Sequence, residues 1–473
     1  MSDMSGRLQE VTYRGGRMVR TVEVGGYRLK AEIELPAEAG IECSPCLHHD
    51  CNVADEARAD PLGAWWKACL AGAQPRSVSE LPTLNEGHGP PSPGAPAHTV
   101  STPGLAPIRT VDLFCGVGGL TAGVAHASAE IGRDTVCEAA VDADADALAV
   151  FGRNHRTRRL LAESVLTLVD YRVRGEGDEA GFVYPPELLD ESLAEACAGI
   201  DLVVAGPPCQ GHSNLNNHTR RSDRRNHLYL TAVAFAVAAN AEAVVIENVT
   251  SVVHDRARVV DAARALLAAN GYGVTDGVLA ADGMGWPQTR KRHFLVARRS
   301  AGARASGPVP LPEVAEALMD LERRSVTWAI GGNQRLSHDA WLHEPTELTD
   351  VNRERIRWLF ENDEHDLALR ERPDCHRNGT TYGAAYGRIR SDQPAPTITT
   401  GYTTPGRGRY VHPTQMRTLN HAEAARLQGF ADTYCFEPAL GRQATRAQLA
   451  KWIGNAVTVP LGYAAALSAL LPH

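Results

Sequence analysis

The sequence predicts an α/β protein built around a mainly parallel sheet. Two observations carry this prediction. Strand-like apolar runs alternate with helix-like stretches after residue 107, and polar or glycine-rich segments follow those runs directly. In such sheets, ligands bind at the carboxyl ends of the strands, where these segments lie. The composition agrees, because 43% hydrophobic and 22% charged residues are typical of a globular protein.

The 473 residues carry no evident signal for secretion or membrane insertion. The start, MSDMSGRLQEVTYRGG, lacks an apolar signal core, and no apolar run has the length that a bilayer span needs. The ten cysteines are mostly scattered, unlike those of a disulfide framework. We therefore expect a cytoplasmic protein of two or three domains.

Residues 1–83 are predicted to form a β-rich N-terminal extension. The runs RTVEVGGY and LKAEIELP indicate strands joined by a Gly-Gly turn. A stretch rich in Pro, Gly, Ser and Thr predicts a linker at 84–107. The segment CSPCLHHDC groups Cys43, Cys46 and Cys51 in a pattern that zinc sites use. A second pair at suitable spacing is absent, so a reduced loop is the preferred interpretation and no metal is assigned.

The strand and helix signals are strongest from 108 to 299, which we assign to one domain. The predicted strands are IRTVDLFCG, TVCEAAVDAD, IDLVVAGPP, AEAVVIENV and the run that follows QTRKR. The predicted helices are LTAGVAHASAEIG, HLYLTAVAFAVAAN and ARVVDAARALLAANG. From 300 to 415 the alternation fails and Arg, Pro and turn residues increase, which indicates an inserted smaller domain. Helical apolar character returns at 416–473, which belongs with the first domain.

A glycine-rich turn between the first strand and the first helix of this domain predicts a cofactor site. In DLFCGVGGLTAG, glycines allow the backbone to approach a ligand closely, and the helix start offers free amide donors. The next strand ends at Asp142, in the place where an acid commonly binds a ribose. Asp144 and Asp146 fit better as helix-starting residues. These features indicate an adenosine-containing cofactor.

Two later strand ends and one strand start carry reactive or charged side chains. Cys209 follows two prolines at the end of IDLVVAGPP, and an ionised thiol there can act as a nucleophile. Glu247 ends the strand VVIEN and offers a carboxyl group to a substrate. Arg290 and Arg292 alternate at the start of another strand, so we expect both to act on anionic or carbonyl oxygens.

The formal net charge of −8 argues mildly against a nucleic-acid partner. A local basic face is nevertheless enough to meet phosphates. The segment 290–410 is rich in arginine, and solvated surface positions are the simplest interpretation for any one of these residues.

The ordered series DLFCGVGG, GPPCQGHS, ENV, QTRKR, RTLNHAEAARLQGF and GNAV resembles motifs I, IV, VI, VIII, IX and X of the bacterial DNA cytosine-5 methyltransferases. The resemblance spans about residues 108–470. It implies a Rossmann-like methyltransferase sheet that depends on S-adenosylmethionine, with the insertion acting as a target recognition domain. The segment PTITTGYTTPGRGRYVHP is similar to the end of that domain.

The resemblance implies a catalytic role for each strand-end residue. Cys209 would add to C6 of cytosine, Glu247 would support N3, and Arg290 and Arg292 would hold O2 and the nearby phosphate. The cytosine must be flipped out of double-stranded DNA for this chemistry. The loop that closes over the DNA would carry two DNA-binding residues, Gln210 and Ser213.

The cofactor residues that the resemblance implies lie in motifs I, IV, V and X and at the end of the second strand. For Leu228 and Val457 a purely structural place in the core is a strong alternative. The implied residues are Phe114, Gly116, Gly118, Gly119, Leu120, Asp142, Pro207, Asn226, Leu228, Asn455 and Val457.

The sequence departs from the family at several positions. Cys115 stands where alanine is usual, His212 where phenylalanine is usual, and Asn420–His421 where Thr-Pro is common. In the motif III region, either Glu163 or Ser164 occupies the place of the adenine-contacting acid, and both remain open. In motif IX, Arg417 and Glu423 would still support the frame of the recognition domain.

Two alternatives stand beside a DNA methyltransferase. One is an RNA cytosine-5 methyltransferase of the same fold, and the other is an inactive DNA-binding regulator. The long segment between QTRKR and RTLNHAEAARLQGF favours DNA, and intact Cys209, Glu247 and arginines favour activity. We expect a role in restriction-modification or phage defence, with a cognate restriction endonuclease or defence-system proteins as further partners.

Overall fold

The computed structural model describes residues 9–14, 17–34, 59–78, 105–208, 227–300, 307–331, 340–377 and 384–471. The strands are β1 Gln9–Arg14, β2 Arg17–Val24, β3 Tyr27–Glu34, β4 Arg76–Ser77, β5 Ile108–Leu113, β6 Thr135–Val141, β7 Leu160–Leu161, β8 Val169–Asp170, β9 Val173–Arg174, β10 Gly181–Phe182, β11 Glu187–Leu188, β12 Leu202–Ala205, β13 Ala243–Asn248, β14 Tyr272–Ala280 and β15 Lys291–Arg299. The helices are α1 Pro61–Leu70, α2 Gly119–Glu130, α3 Ala145–Asn154, α4 Glu191–Cys197, α5 His227–Ala238, α6 Val259–Ala269, α7 Leu311–Ala317, α8 Val326–Ile330, α9 Asp350–Glu361, α10 Asp374–Arg377, α11 His421–Gln428, α12 Arg446–Asn455 and α13 Val459–Leu470.

The central sheet has the order β14-β15-β13-β12-β5-β6-β7. Neighbouring strands are parallel from β13 to β7, whereas β15 runs antiparallel to both of its neighbours. Strands β12 and β13 are buried along their whole length, as expected for strands covered on both faces. Helices α2 and α13 pack on one face, and α5 and α6 pack on the other. The predicted α/β fold is confirmed.

The chain reverses direction in the sheet at β5. From β5 it continues through α2 to β6 on one side, whereas β12 pairs with β5 on the other side and is followed by β13 further out. The loops that leave β5 and β12 therefore diverge and open a crevice at the carboxyl edge of the sheet. In open α/β sheets this is where ligands bind.

The N-terminal extension forms an antiparallel sheet in the order β1-β2-β3-β4. The predicted Gly-Gly turn joins β2 and β3, with φ angles of 57° at Gly25 and 77° at Gly26. The extension packs against the main domain, because Trp65 and Trp66 of α1 belong to the same buried cluster as α2 and α13. Of the predicted linker 84–107, only residues 105–107 lie within the described part of the chain, and Cys43, Cys46 and Cys51 lie outside it.

A buried ion pair fixes the extension to the main domain. Arg20 of β2 is 2% exposed and donates to Glu130 at 3.0 Å and to Tyr463 at 3.2 Å. Its guanidinium also lies 5.2 Å from the centre of the Trp66 ring. A charge removed from water requires such partners, since an unpaired buried charge is strongly destabilising.

The first part of the predicted insertion packs with the main domain. The Val309 amide donates to the Ser468 carbonyl at 3.0 Å, and α7 contributes Leu311 and Val314 to the cluster that contains α2 and α13. The buried side chains of α8 join a different cluster, together with those of α11 and α12, and α9 contributes Ile356 and Leu359 to a further small cluster. We propose that the second domain starts after α7 and not at residue 300.

A second ion pair, which is largely buried, holds the start of α11. Arg417 donates to both carboxylate oxygens of Glu423, at 2.8 and 2.6 Å. Glu423 also accepts the Asn420 amide, and Asn420 caps α11 in return. Hydrogen bonds and charges from Arg417 and His412 outweigh the burial of Glu423 and lower its pKa to about 2. Asn420, where the family commonly has threonine, therefore serves as a helix cap.

One segment of the described residues, Arg446–Leu470, is long and apolar enough to be compared with a membrane span. It consists of α12 and α13, and 83% of its most apolar window is buried inside the protein. Its apolar side chains are therefore part of the core.

Replacing Arg20 with alanine is expected to lower the free energy of unfolding by about 3–5 kcal/mol, because Glu130 would be left buried without its partner. Arg17→Ala is the matched control in the same strand. Its pair with Glu34 is more than half exposed on both sides, at 53% and 62%, and exposed pairs contribute about 1 kcal/mol or less. Denaturant unfolding followed by tryptophan fluorescence measures both. Equal losses in the two variants would contradict the proposed anchoring role of Arg20.

Candidate active site

A cleft of about 810 Å³ lies in the crevice at the carboxyl edge of the sheet. Its walls come from the loops after β5, β6, β12 and β13, the start of β15, and the end of α12. The cleft is lined by these predicted cofactor residues: Phe114, Gly116, Gly119, Leu120, Asp142, Pro207, Leu228, Asn455 and Val457. Gly118 caps the N-terminus of α2 directly beside them. Val457 and Leu228 line the cleft, and Val457 also packs in the core.

Four predicted site residues lie outside the described residues: Cys209, Gln210, Ser213 and Asn226. His212 lies outside them as well. The described segment 105–208 ends at Pro208, which lines the cleft and immediately precedes Cys209 in sequence.

The glycine-rich loop is shaped by a close approach of two backbones. A β-carbon on Gly119 would lie 2.4 Å from the Val457 carbonyl oxygen, closer than atoms can pack, so only glycine fits there. Gly118 has a φ angle of 91° and Phe114 has one of 58°, both in the left-handed region. The loop therefore turns sharply and presents backbone to the cleft, as the sequence predicted.

Asp142 closes the loop from the end of β6. Its two carboxylate oxygens accept hydrogen bonds from the amides of Gly116 and Asp144, each at 2.8 Å. A carboxylate has further lone pairs, so Asp142 can also accept from ligand hydroxyl groups. Asp144 caps α3 and Asp146 lies in its first turn, which confirms that these two acids start a helix.

Asp112 is a cleft residue that sequence reasoning missed, because it reads as an ordinary position in a buried strand. It is 1% exposed, and the Thr121 hydroxyl donates to its Oδ2 at 2.6 Å. Its Oδ1 is buried and has no hydrogen-bond partner among the described residues. Burial raises the pKa of Asp112 to about 8, so the carboxyl is mainly neutral near pH 7.

At the end of β13, the carboxylate of Glu247 pairs with an arginine. Glu247 is 8% exposed, and its Oε1 lies 2.8 Å from Nε of Arg292 on the neighbouring strand β15. The next residue, Asn248, donates from its side chain to the Pro207 carbonyl at 3.3 Å. Asn248 thereby links the Glu247 strand to the loop that leads to Cys209, a role that the motif ENV alone did not reveal.

Arg290 lines the same cleft but has different partners. It precedes β15, is 2% exposed, and donates to the carbonyls of Ile398 at 2.8 Å and Ala456 at 3.0 Å. The sequence pattern paired Arg290 with Arg292 on one strand face. Of the two, Arg292 contacts Glu247, whereas Arg290 joins the wall of the cleft to the segment that contains Ile398 and to the end of α12.

A buried amide network supports Arg290. Gln288 donates to the Leu427 carbonyl at 2.7 Å and accepts from the Ile398 amide at 3.2 Å. Gln428 donates to the Ile453 carbonyl at 2.6 Å, and Thr458 donates to Gln428 at 2.9 Å. The segments QTRKR, ARLQGF and GNAVT, far apart in sequence, are therefore connected inside the protein.

The positions that depart from the family have plain structural accounts where they are described. Burial raises the pKa of the Cys115 thiol well above its usual range, so this cysteine stays protonated although it lines the cleft. Glu163 and Ser164 both line the cleft. Glu163 accepts from the Thr167 hydroxyl, and Ser164 caps the short turn that follows it. His421 contacts the Tyr402 hydroxyl at 2.5 Å.

A crevice where the strand order reverses, with a glycine-rich turn and a strand-end acid, defines an α/β protein that binds a nucleotide-type cofactor. The residues fit such a group, since the cleft offers loop backbone, the acceptor Asp142 and the unpartnered Oδ1 of Asp112. The model of the C-5 cytosine-specific DNA methylases matches residues 108–469, and the chain belongs to that family. It is a DNA cytosine-5 methyltransferase, as its motifs predicted, and the family implies S-adenosylmethionine as the methyl donor.

Two bacterial relatives resemble the chain over most of their length. The type II methyltransferase M1.BsuMI of Bacillus subtilis strain 168 is 35% identical over 364 residues, which cover 77% of this chain and 80% of that protein. The type II methylase M.HgiDII of Herpetosiphon aurantiacus is 30% identical over 357 residues, which cover 74% and 92%. The solved structure of the S. pombe Dnmt2 methyltransferase is 18% identical with a TM-score of 0.48, over 76% of this chain and 97% of that one. The strand order, and not this last likeness, carries the fold assignment.

The neutral state of Asp112 is expected to make stability depend on pH. Between about pH 4 and pH 8 the carboxyl is ionised in the unfolded chain and protonated in the folded protein, so stability falls as pH rises. The slope is on the order of 1 kcal/mol per pH unit. Asp112→Asn removes this slope. Unfolding measured across this range without cofactor tests the expectation, and parallel profiles for both proteins would contradict it.

Proposed function

We propose that this enzyme methylates C5 of a cytosine flipped out of duplex DNA, through a covalent bond between Cys209 and C6. One observation carries the proposal. The Glu247–Arg292 pair, Arg290 and the glycine-rich loop converge on one cleft. The chain continues directly from Pro208 in the cleft wall to Cys209. Because C5 and C6 of a stacked base are inaccessible, the cytosine must leave the duplex.

The proposed reaction begins with the thiolate of Cys209. A bond forms between Sγ and C6 while the electrons of the C5–C6 double bond shift towards C4 and N3, which makes C5 nucleophilic. Glu247 supports this shift with a proton or hydrogen bond at N3. After C5 has taken the methyl group, its proton is lost to solvent, the double bond re-forms and the thiolate leaves C6.

Glu247 is well prepared for this role. Arg292 forms an ion pair with Oε1, and no described residue donates a hydrogen bond to the Glu247 carboxyl. The group is nearly buried in a cleft, where hydrogen bonds to a substrate are stronger than in water. Arg292 and Arg290 hold the base O2 and the adjacent phosphate in this proposal, and Gln210 and Ser213 contact the DNA.

S-adenosylmethionine supplies an electrophilic methyl group on a sulfonium sulfur. In the cleft, Asp142 would accept from the ribose hydroxyls of this cofactor, and the loop backbone together with Phe114 and Leu120 would hold the rest of it. Glu163 and Ser164 both remain open as the adenine contact. The further proposed cofactor residues are Gly116, Gly118, Gly119, Pro207, Asn226, Leu228, Asn455 and Val457.

The biological setting that we propose is restriction-modification in the cytoplasm. This is supported by two relatives whose names describe type II methyltransferases. A methyltransferase of this kind marks the DNA that a cognate endonuclease would otherwise cut, so such an endonuclease or another phage-defence protein is the proposed partner.

Cys209→Ser is expected to abolish methyl transfer and to leave cofactor binding intact, because a serine hydroxyl is not ionised near neutral pH. Bisulfite sequencing of DNA from cells that express the enzyme reads both activity and target sequence. Cys115→Ala is the matched control and should retain activity, since burial keeps that thiol protonated. Methylation by Cys209→Ser, or its loss in Cys115→Ala alone, would refute the assignment of the nucleophile.

Glu247→Gln is expected to slow methyl transfer by about 10²- to 10⁴-fold, the usual contribution of a general acid, without a change in cofactor affinity. Glu242 immediately precedes the same strand at its opposite end and pairs with Arg298, so Glu242→Gln is the control. Single-turnover methylation of plasmid DNA measures the rates. Similar rates for the two variants would remove Glu247 from the mechanism.

A further inference from the structure

The arginines of residues 290–410 that the structure describes divide into two groups. Most donate to carboxylates or carbonyls inside the protein; Arg324, for example, binds Asp60 at 2.6 and 2.9 Å, and Arg409 binds the His365 carbonyl at 2.8 Å. The second group is exposed, and its guanidinium groups form no hydrogen bond or ion pair with another described residue. Its members are Arg323, Arg357, Arg390 and Arg407.

Among these four arginines, Arg407 is the one that the contacts connect to the cleft. It ends a short turn, Pro405–Arg407, and the stem of its side chain lies on Gly401. A β-carbon on Gly401 would lie 2.6 Å from Cβ and 3.0 Å from Cγ of Arg407. The aliphatic part of the Arg407 side chain therefore packs on Gly401, while the residue as a whole remains exposed.

The segment before Gly401 packs against residues that line the cleft. A β-carbon on Gly454, a cleft residue, would lie 2.4 Å from the Thr400 amide nitrogen. Two residues earlier, the Ile398 carbonyl accepts from Arg290, which also lines the cleft. The segment on which the Arg407 stem packs is therefore in direct contact with residues that line the cleft.

The segment 399–401 and the turn Pro405–Arg407 are fixed by several hydrogen bonds. Thr399 and Tyr410 join through their hydroxyls at 2.9 Å, and the Gly401 amide donates to the Thr399 hydroxyl at 3.3 Å. The Tyr386 amide donates to the Pro405 carbonyl at 2.8 Å, which fixes the turn itself. An arginine held on such a support loses little further freedom when it binds a ligand.

We propose that Arg407 contacts the DNA duplex beside the flipped cytosine, with its guanidinium donating to acceptors on the DNA. The inference rests on the proposed function, which brings the cytosine into this cleft. A guanidinium suits both acceptors that DNA presents, phosphate oxygens and the O6 and N7 edge of guanine. In a chain of net charge −8, a cation placed next to the cleft provides local attraction that the whole protein lacks.

The test compares Arg407→Ala with Arg357→Ala, which removes the same charge from an exposed position on α9. Binding of each protein to restriction fragments of a plasmid that the wild-type enzyme methylates is measured at several salt concentrations. We expect Arg407→Ala to weaken binding about tenfold and Arg357→Ala to change it less than about twofold. Cofactor affinity should be unchanged in both.

The salt dependence separates the two acceptors. If Arg407 meets a phosphate, the slope of log K against log salt falls by about 1 in Arg407→Ala, and binding weakens on all fragments alike. If it meets guanine, binding weakens mainly on fragments that contain the target site. Equal DNA binding by the two variants would overturn the proposal. Since the readout is binding, such a result is distinct from failure of methyl transfer in the Cys209 experiment.

Discussion

The site depends on one steric constraint, the contact between the start of α2 and the chain that enters α13. Only glycine at 119 lets the two backbones meet, because any side chain there would overlap the Val457 carbonyl. This contact packs the segment around Val457 against the glycine-rich loop before α2, although the two are some 340 residues apart in sequence. It also places the Ala456 carbonyl within reach of Arg290. Loop, wall and charged groups are consequently parts of one packed unit.

Several arginines of this protein pair with carboxylates inside the protein and do not face solvent alone. Arg20 and Arg324 each join segments that are distant in sequence, whereas Arg417 holds the start of α11 through Glu423, and all three are at least partly buried with a carboxylate. Guanidinium groups suit this use because they remain charged and donate in several directions at once. A count of basic residues therefore overstates the charge that is available to DNA, and the negative net charge understates what a single well-placed arginine can do.

The local features were predictable from sequence, whereas the long-range contacts were not. Strand-end residues such as Asp142 and Glu247 could be predicted because they depend on local pattern and on the rule that parallel strands end at one edge. The neutral state of Asp112 depends on burial, and the partners of Arg290 lie 108 and 166 residues away. The position of Arg407 likewise depends on packing between loops. No local pattern encodes such contacts, and Cys209 itself is known here only from its motif.

The N-terminal extension and the methyltransferase domain share one hydrophobic core, so the two are not independent modules. Trp66 packs edge-to-face against Trp286 and Tyr463, with ring centres 5.7 and 5.9 Å apart, so it fills space between elements of the domain. A family domain defined by its motifs would begin at residue 108, yet a chain cut there would expose this aromatic surface and Glu130 to water. In this protein the core of the methyltransferase domain is therefore completed by residues outside the unit that the family's motifs define.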